Sequence, residues 1–166
     1  MRRNVPLTVF AALVLVAGMA GCSGRTYVVN EDMSLDGAKK LAQDLELEIV
    51  QSLPPELVTN VEQQDEGALL PCSRDGARQW AGGLTATIVG NAPPEEVIGV
   101  IADSFVGREH FNISRREDQG DSIVTVRGPD QAVWVVRYIR PRAELDIDSG
   151  SPCIRLPDGV WPGGSY

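Results

Sequence analysis

The chain reads as an α+β domain: an antiparallel sheet of about five to seven strands with two helices packed on one face. Three observations predict this. Residues 34–53 and 93–107 repeat apolar side chains at threes and fours, the period of a half-buried helix. Between and after them lie short runs in which apolar and polar residues alternate, the period of a strand. The glycines and prolines collect between those runs, where short strands need turns. The order is helix, three strands, helix, then three or four strands, which admits an α-β-β-β half-repeat.

In the first helix Ser34 is placed to cap the first turn, and Asp36 suits its positive end. Leu35, Ala38, Ala42, Leu45, Ile49 and Leu53 form the apolar stripe and Leu41 broadens it, leaving Lys39, Lys40, Asp44, Glu46 and Glu48 largely to water. Pro54-Pro55 ends the helix, because the residue before a proline is driven out of helical conformation. Residues 58–63 read as a strand, Gln64-Asp65-Glu66-Gly67 as the turn that reverses it, and 68–72 as its partner. A turn at 73–76 leads to a longer strand over 80–89, in which Leu84, Ala86 and Ile88 share one face and Gly82-Gly83 mark a bulge or a close backbone approach.

The second helix starts at Pro93 or Pro94, with Glu95 and Glu96 at its positive end, and buries Val97, Ile98, Ile101, Ala102 and Phe105 before Gly107. A strand over 110–115, a polar loop over 116–120 and a strand over 123–127 follow. Residues 132–139 are the most β-like stretch. Ala132, Trp134, Val136 and Tyr138 share one face, while Val133, Val135 and Ile139 share the other with Arg137, so the strand reads as central and covered on both faces. Leu145 and Ile147 mark a last strand, read as an edge whose wet side carries Glu144, Asp146 and Asp148. The folded domain is expected over 34–155, and 156–166 as a flexible tail beyond a docked Trp161.

The N-terminus carries an address. Arg2-Arg3 precede the apolar run Val9 to Gly18, which is too short to span a bilayer. Met19-Ala20-Gly21-Cys22 then resembles the bacterial lipobox, with Met in place of the usual Leu. The resemblance implies a lipoprotein signal peptide over 1–21, lipidation of Cys22, a lipid-anchored tether over 22–33 and a place on the extracytoplasmic face of the cell membrane. Arg2-Arg3 also resemble a twin-arginine head, but Pro6 interrupts the apolar continuation and the general secretory route fits better. Loss of Arg2 and Arg3 makes the mature chain two charges more acidic than the formal −8 of the whole. Such a surface repels nucleic acid and anionic headgroups, so membrane lipid is engaged through acylation alone.

Setting Cys22 aside for lipid leaves Cys72 and Cys153, which in an oxidising compartment are expected to pair; the alternative is a free reactive thiol pair, for which no C-x-x-C spacing speaks. Closing a loop of this length is worth roughly 4.5 kcal/mol in the ideal chain-entropy picture.

No motif identifies a chemistry, and neither an enzyme nor a cofactor is expected. His110 is the single histidine, with only Glu109 and Asp103 near it in sequence, which does not make a zinc site. Glu62 to Gly67 lacks the ligand spacing of a calcium loop. There is no G-x-S-x-G elbow, no isolated acid pair and no phosphate-cradling glycine loop. Three sets of residues remain as candidate surfaces. Glu144, Asp146 and Asp148 share a strand face and, with Trp161, could meet a cation or a partner; Arg137, Arg140 and Arg142 could meet an anion; Phe105, Trp134 and Tyr138 could line a pocket between helices and sheet.

With Leu70-Pro71-Cys72-Ser73 and Ser151-Pro152-Cys153 placed beside the lipobox, the chain is similar to small secreted lipoproteins of actinobacteria. That likeness implies a two-helix, antiparallel-sheet layout and no particular activity. The expectation is a membrane-anchored extracytoplasmic lipoprotein acting as a binding or interaction module. One alternative is a carrier of an apolar or amphipathic small molecule. Another is a structural envelope domain with no small-molecule ligand; the partner of an interaction module would be another envelope protein.

Overall fold

The computed structural model describes residues 28–166, so the expected signal peptide and Cys22 lie outside the described residues. The fold is α+β: a nine-stranded sheet, antiparallel except for one pair, with two helices on one face.

Strand β1 (Val29–Asn30) runs parallel to β9 (Cys153–Ile154). The folded domain therefore begins inside the stretch read as tether. The pairing is secured by Arg155, which binds both Glu31 and Asp75, and by the Asn30 amide, which donates to Asp130 at 2.8 Å. The guanidinium of Arg155, with the Ser73 hydroxyl, holds the Asp75 carboxyl well below the usual carboxylate range. Nearby, Cys72 and Cys153 form a disulfide with Cα atoms 5.9 Å apart.

Helix α1 (Leu35–Gln51) is capped as expected, the Ser34 hydroxyl accepting from the Gly37 N–H at 3.1 Å. Its stripe is buried, with one departure: Glu46, read as facing water, is 0 % exposed. The chain then enters a 3₁₀ turn (Pro55–Leu57) and β2 (Val58–Gln63).

Strands β2, β3 (Ala68–Pro71) and β4 (Arg78–Ile88) correct the expected turn at 64–67. Both β2 and β3 lie antiparallel to β4, and partners on β4 descend continuously from Ile88 to Arg78. Residues 64–67 interrupt one long strand and do not reverse it. The reason is local: Gln43 and Gln63 tie this stretch to α1, and Gly67 pairs with the C-terminal residue. Gly82-Gly83 is the expected close approach. A Cβ on Gly82 would stand 2.1 Å from the Trp80 ring, and one on Gly83 2.5 Å from the Ile147 carbonyl oxygen. The sheet's irregularity lies instead in β2, between Thr59 and Glu62.

Helix α2 (Pro94–Phe105) leads into the meander β5 (Asn112–Asp118), β6 (Asp121–Arg127), β7 (Val133–Ile139) and β8 (Glu144–Gly150). The polar loop expected over 116–120 contracts to Gln119-Gly120. Both have positive φ, as a two-residue hairpin turn requires, so pairing continues out to Asp118–Asp121. The order of elements after each helix is similar, but β2, β3 and β4 make one interrupted hairpin whereas β5 to β8 make a meander. No topological half-repeat results.

Two strand readings also change. β8 lies between β4 and β7 and is central, not an edge. β7 is covered on one face only: Trp134, Val136 and Tyr138 are buried under the helices, while Val133, Val135, Arg137 and Ile139 are half-buried on a face that neither helix covers.

The tail is docked on the domain through Leu156 and Tyr166. Tyr166 exchanges backbone hydrogen bonds with Gly67 at 2.7 and 3.0 Å, and its carbonyl accepts from the Trp80 indole at 2.8 Å. Leu156, Tyr166 and Leu35 complete an apolar cluster around Trp80, which is what holds the segment. Trp161, the residue expected to dock, is instead 72 % exposed.

Candidate functional site

The periodicity of α1 that builds the core also builds a groove. Gly37, Leu41, Leu45 and Glu48, with Lys40 and Asp44, fall along one side of the helix over three turns, about 16 Å. Phe111, just before β5, and Pro129, in the β6–β7 turn, form the opposite wall, and Trp134 of β7 lies at the floor. The groove encloses about 410 Å³ and its lining is mostly apolar.

Each part of the lining is held from behind. The Trp134 indole donates to the Ala42 carbonyl at 3.0 Å, fixing the ring beneath α1. Phe111 packs on Phe105 with centroids 5.4 Å apart, and the Arg108 guanidinium lies 4.6 Å from both rings. Arg108 also pairs with Glu48, closing one end of the groove between α1 and the α2–β5 connection. On the rim, Lys40 pairs with Asp44 at 2.8 Å. The charges of the rim are thus mutually neutralised, which leaves apolar burial as the groove's means of holding a ligand.

Of the three residues expected to line a pocket, the structure brings Trp134 alone to the groove. Phe105 supports Phe111 from the core, and Tyr138 is packed in the core. Leu41, Phe111 and Pro129 were missed as lining. Leu41 reads as a widened core stripe, and nothing in sequence brings Phe111 and Pro129 together beside it.

The charged candidates occupy the other face of the sheet. Glu144, Asp146 and Asp148 are neighbours along β8 as expected, opposite Ile139, Arg137 and Val135 of β7. Partial burial pushes the Asp146 carboxyl up, helped by Asp148 and Glu144 and opposed by Arg137 and Arg142. With Glu62, Gly83 and Thr85, Asp146 and Asp148 border a shallow depression of about 280 Å³. Arg137, Arg140 and Arg142 do not converge. Arg137 lies on the sheet, Arg140 pairs with Glu95 at 3.4 Å and donates to the Gly120 carbonyl, and Arg142 pairs with Glu144 at 3.1 Å. His110 is exposed beside Glu109. No group of three or more metal-ligating side chains occurs among the described residues.

One buried ionisable group escaped the sequence reading. The Glu46 carboxylate bridges α1 to the sheet, accepting from the Ser149 hydroxyl of β8 and from the Gln63 amide of β2 at 2.7 Å. Burial pushes its carboxyl above the ordinary value, against those two hydrogen bonds. Its place within the wet side of the α1 pattern gave no warning.

No helix among the described residues is long and apolar enough to cross a membrane. Neither a family model, a curated protein nor a solved structure matches the chain.

Proposed function

We propose that this protein is a membrane-tethered extracytoplasmic binding module whose ligand, an extended apolar or amphipathic molecule, lies in the groove along α1. The observation that carries the reading is the groove itself. Its volume is within the range of small-molecule sites, its floor is apolar and aromatic, and its walls are buttressed by an indole hydrogen bond and an Arg108–Glu48 ion pair. Elongation over three helical turns favours a chain-like ligand over a compact one.

The tether supports the same reading. Cys22, lipidated as the lipobox resemblance implies, would stand seven residues before β1, no more than about 25 Å of extended chain. Asn30 at the end of β1 donates to Asp130, the neighbour of Pro129 in the groove wall. An anchored domain would therefore carry the groove close to the bilayer, where amphipathic ligands reside.

The test is a titration of residues 28–166 with a fluorescent fatty acid, read by dansyl emission. One-to-one binding is expected, weakened at least tenfold, about 1.4 kcal/mol, by Leu41→Glu and unchanged by Val100→Glu on the exposed side of α2. Absence of binding, or binding indifferent to Leu41→Glu, would reject the groove as the ligand site.

A further inference from the structure

The sheet face left bare by the helices carries its charge in an ordered way. Backbone register places Arg116, Ile123, Arg137, Asp146, Thr85 and Glu62 in one row across β5, β6, β7, β8, β4 and β2. From β5 to β2 the row is basic, apolar, basic, then acidic, neutral, acidic. It is antisymmetric about the line between β7 and β8. Among the described residues, no direct ion pair holds Arg116 or Arg137; Arg137 acts on Asp146, its neighbour in the row, only from beyond ion-pair distance.

We propose that this face is a docking surface for a second copy of the chain, in a two-fold dimer with its axis along the strands between β7 and β8. A rotation of half a turn about that line sets Arg137 opposite Asp146 and Arg116 opposite Glu62, twice over, while Ile123, fully buried beneath its neighbours, brings no charge to the contact. A two-fold contact demands such self-complementarity. The axis keeps the strands of the two sheets nearly aligned, the common arrangement for stacked sheets. The flanking rows oppose no like charges: Asp148 falls opposite Val135, and Glu144 opposite Ile139. Small residues leave room. The depression bordered by Glu62, Thr85, Asp146 and Asp148 is where the guanidinium groups of Arg116 and Arg137 from the other copy would enter.

The pair Arg116–Glu62 makes the proposal testable. Within one copy these residues are five strand spacings apart, about 24 Å, and cannot meet. The experiment is sedimentation equilibrium of the full chain in density-matched nonionic detergent with micelles in excess. Dimers are expected at low ionic strength, dissociating as salt screens the charges. Arg116→Glu and Glu62→Arg, both at exposed positions, are each expected to weaken dimerisation about tenfold. An equimolar mixture of the two variants is expected to recover it, because only the mixed dimer opposes unlike charges at every such pair. A wild-type monomer under all conditions would overturn the proposal, as would a mixture that associates no better than either variant alone.

Discussion

Glu46 should govern how stability depends on pH. Its carboxyl is fully buried between α1, β2 and β8 and titrates above 4.5, while in the unfolded chain it returns to that ordinary value. In the window between 4.5 and the raised folded value, the folded protein holds a proton that the unfolded chain has lost. Stability from this group is therefore complete below 4.5 and falls as pH rises through the window, at about 1.4 kcal/mol per pH unit. Glu46→Gln keeps both contacts: its carbonyl accepts from Gln63 and its amide donates to Ser149. The variant is expected to lose this slope and to gain on the wild type as pH rises. Glu46→Ala leaves the buried Ser149 hydroxyl without its acceptor and opens a cavity, a loss of about 2–4 kcal/mol at pH 5. Urea unfolding followed by tryptophan fluorescence between pH 4 and 8 reads all three chains. Subtracting the Glu46→Gln profile removes the parallel contribution of Asp146, whose carboxyl is also raised. Parallel wild-type and Glu46→Gln profiles would refute the reasoning, since Glu46 would then titrate alike in both states.

Other consequences are open to measurement. Replacing Cys72 and Cys153 with serine should cost about 2–4 kcal/mol, with early loss of amide protection in β1, β9 and the tail, measured by hydrogen exchange. Gly83→Ala drives a methyl into the Ile147 carbonyl within a paired strand, and a loss of at least about 2 kcal/mol in urea unfolding is expected. Trp161→Ala should change stability by less than about 0.5 kcal/mol, whereas deleting Ser165 and Tyr166 should cost about 1–3 kcal/mol by exposing Trp80 and removing its indole acceptor. NMR titration should find Asp75 ionising well below the usual carboxylate range, with Arg155→Gln raising it toward that range.

Most of the fold is legible in local pattern. The two helices and most strand faces follow from periodicity, because burial of one face is a property that each segment displays by itself, and the Ser34 cap follows from its residue type. The errors share a cause. Residues 64–67 look like a turn, but whether a polar tetrapeptide reverses the chain or bulges depends on what holds its ends, here α1 and Tyr166. Glu144, Asp146 and Asp148 look like an edge because edges are charged, yet β8 is central, its carboxylates tolerated because neither helix covers that face.

From sequence alone came the α+β class, the two amphipathic helices, the alternation in β4, β7 and β8, and the pairing of Cys72 with Cys153. Each rests on residues close in the chain or on a count that admits few solutions. Only the tertiary structure could join Leu41 to Phe111 and Pro129 as a groove, seat Glu46 against Ser149, fasten Tyr166 to Trp80, and line up Arg116 with Glu62 across six strands. These are contacts between segments far apart in sequence. They are set by strand order and register, which the side-chain pattern of any one segment does not encode.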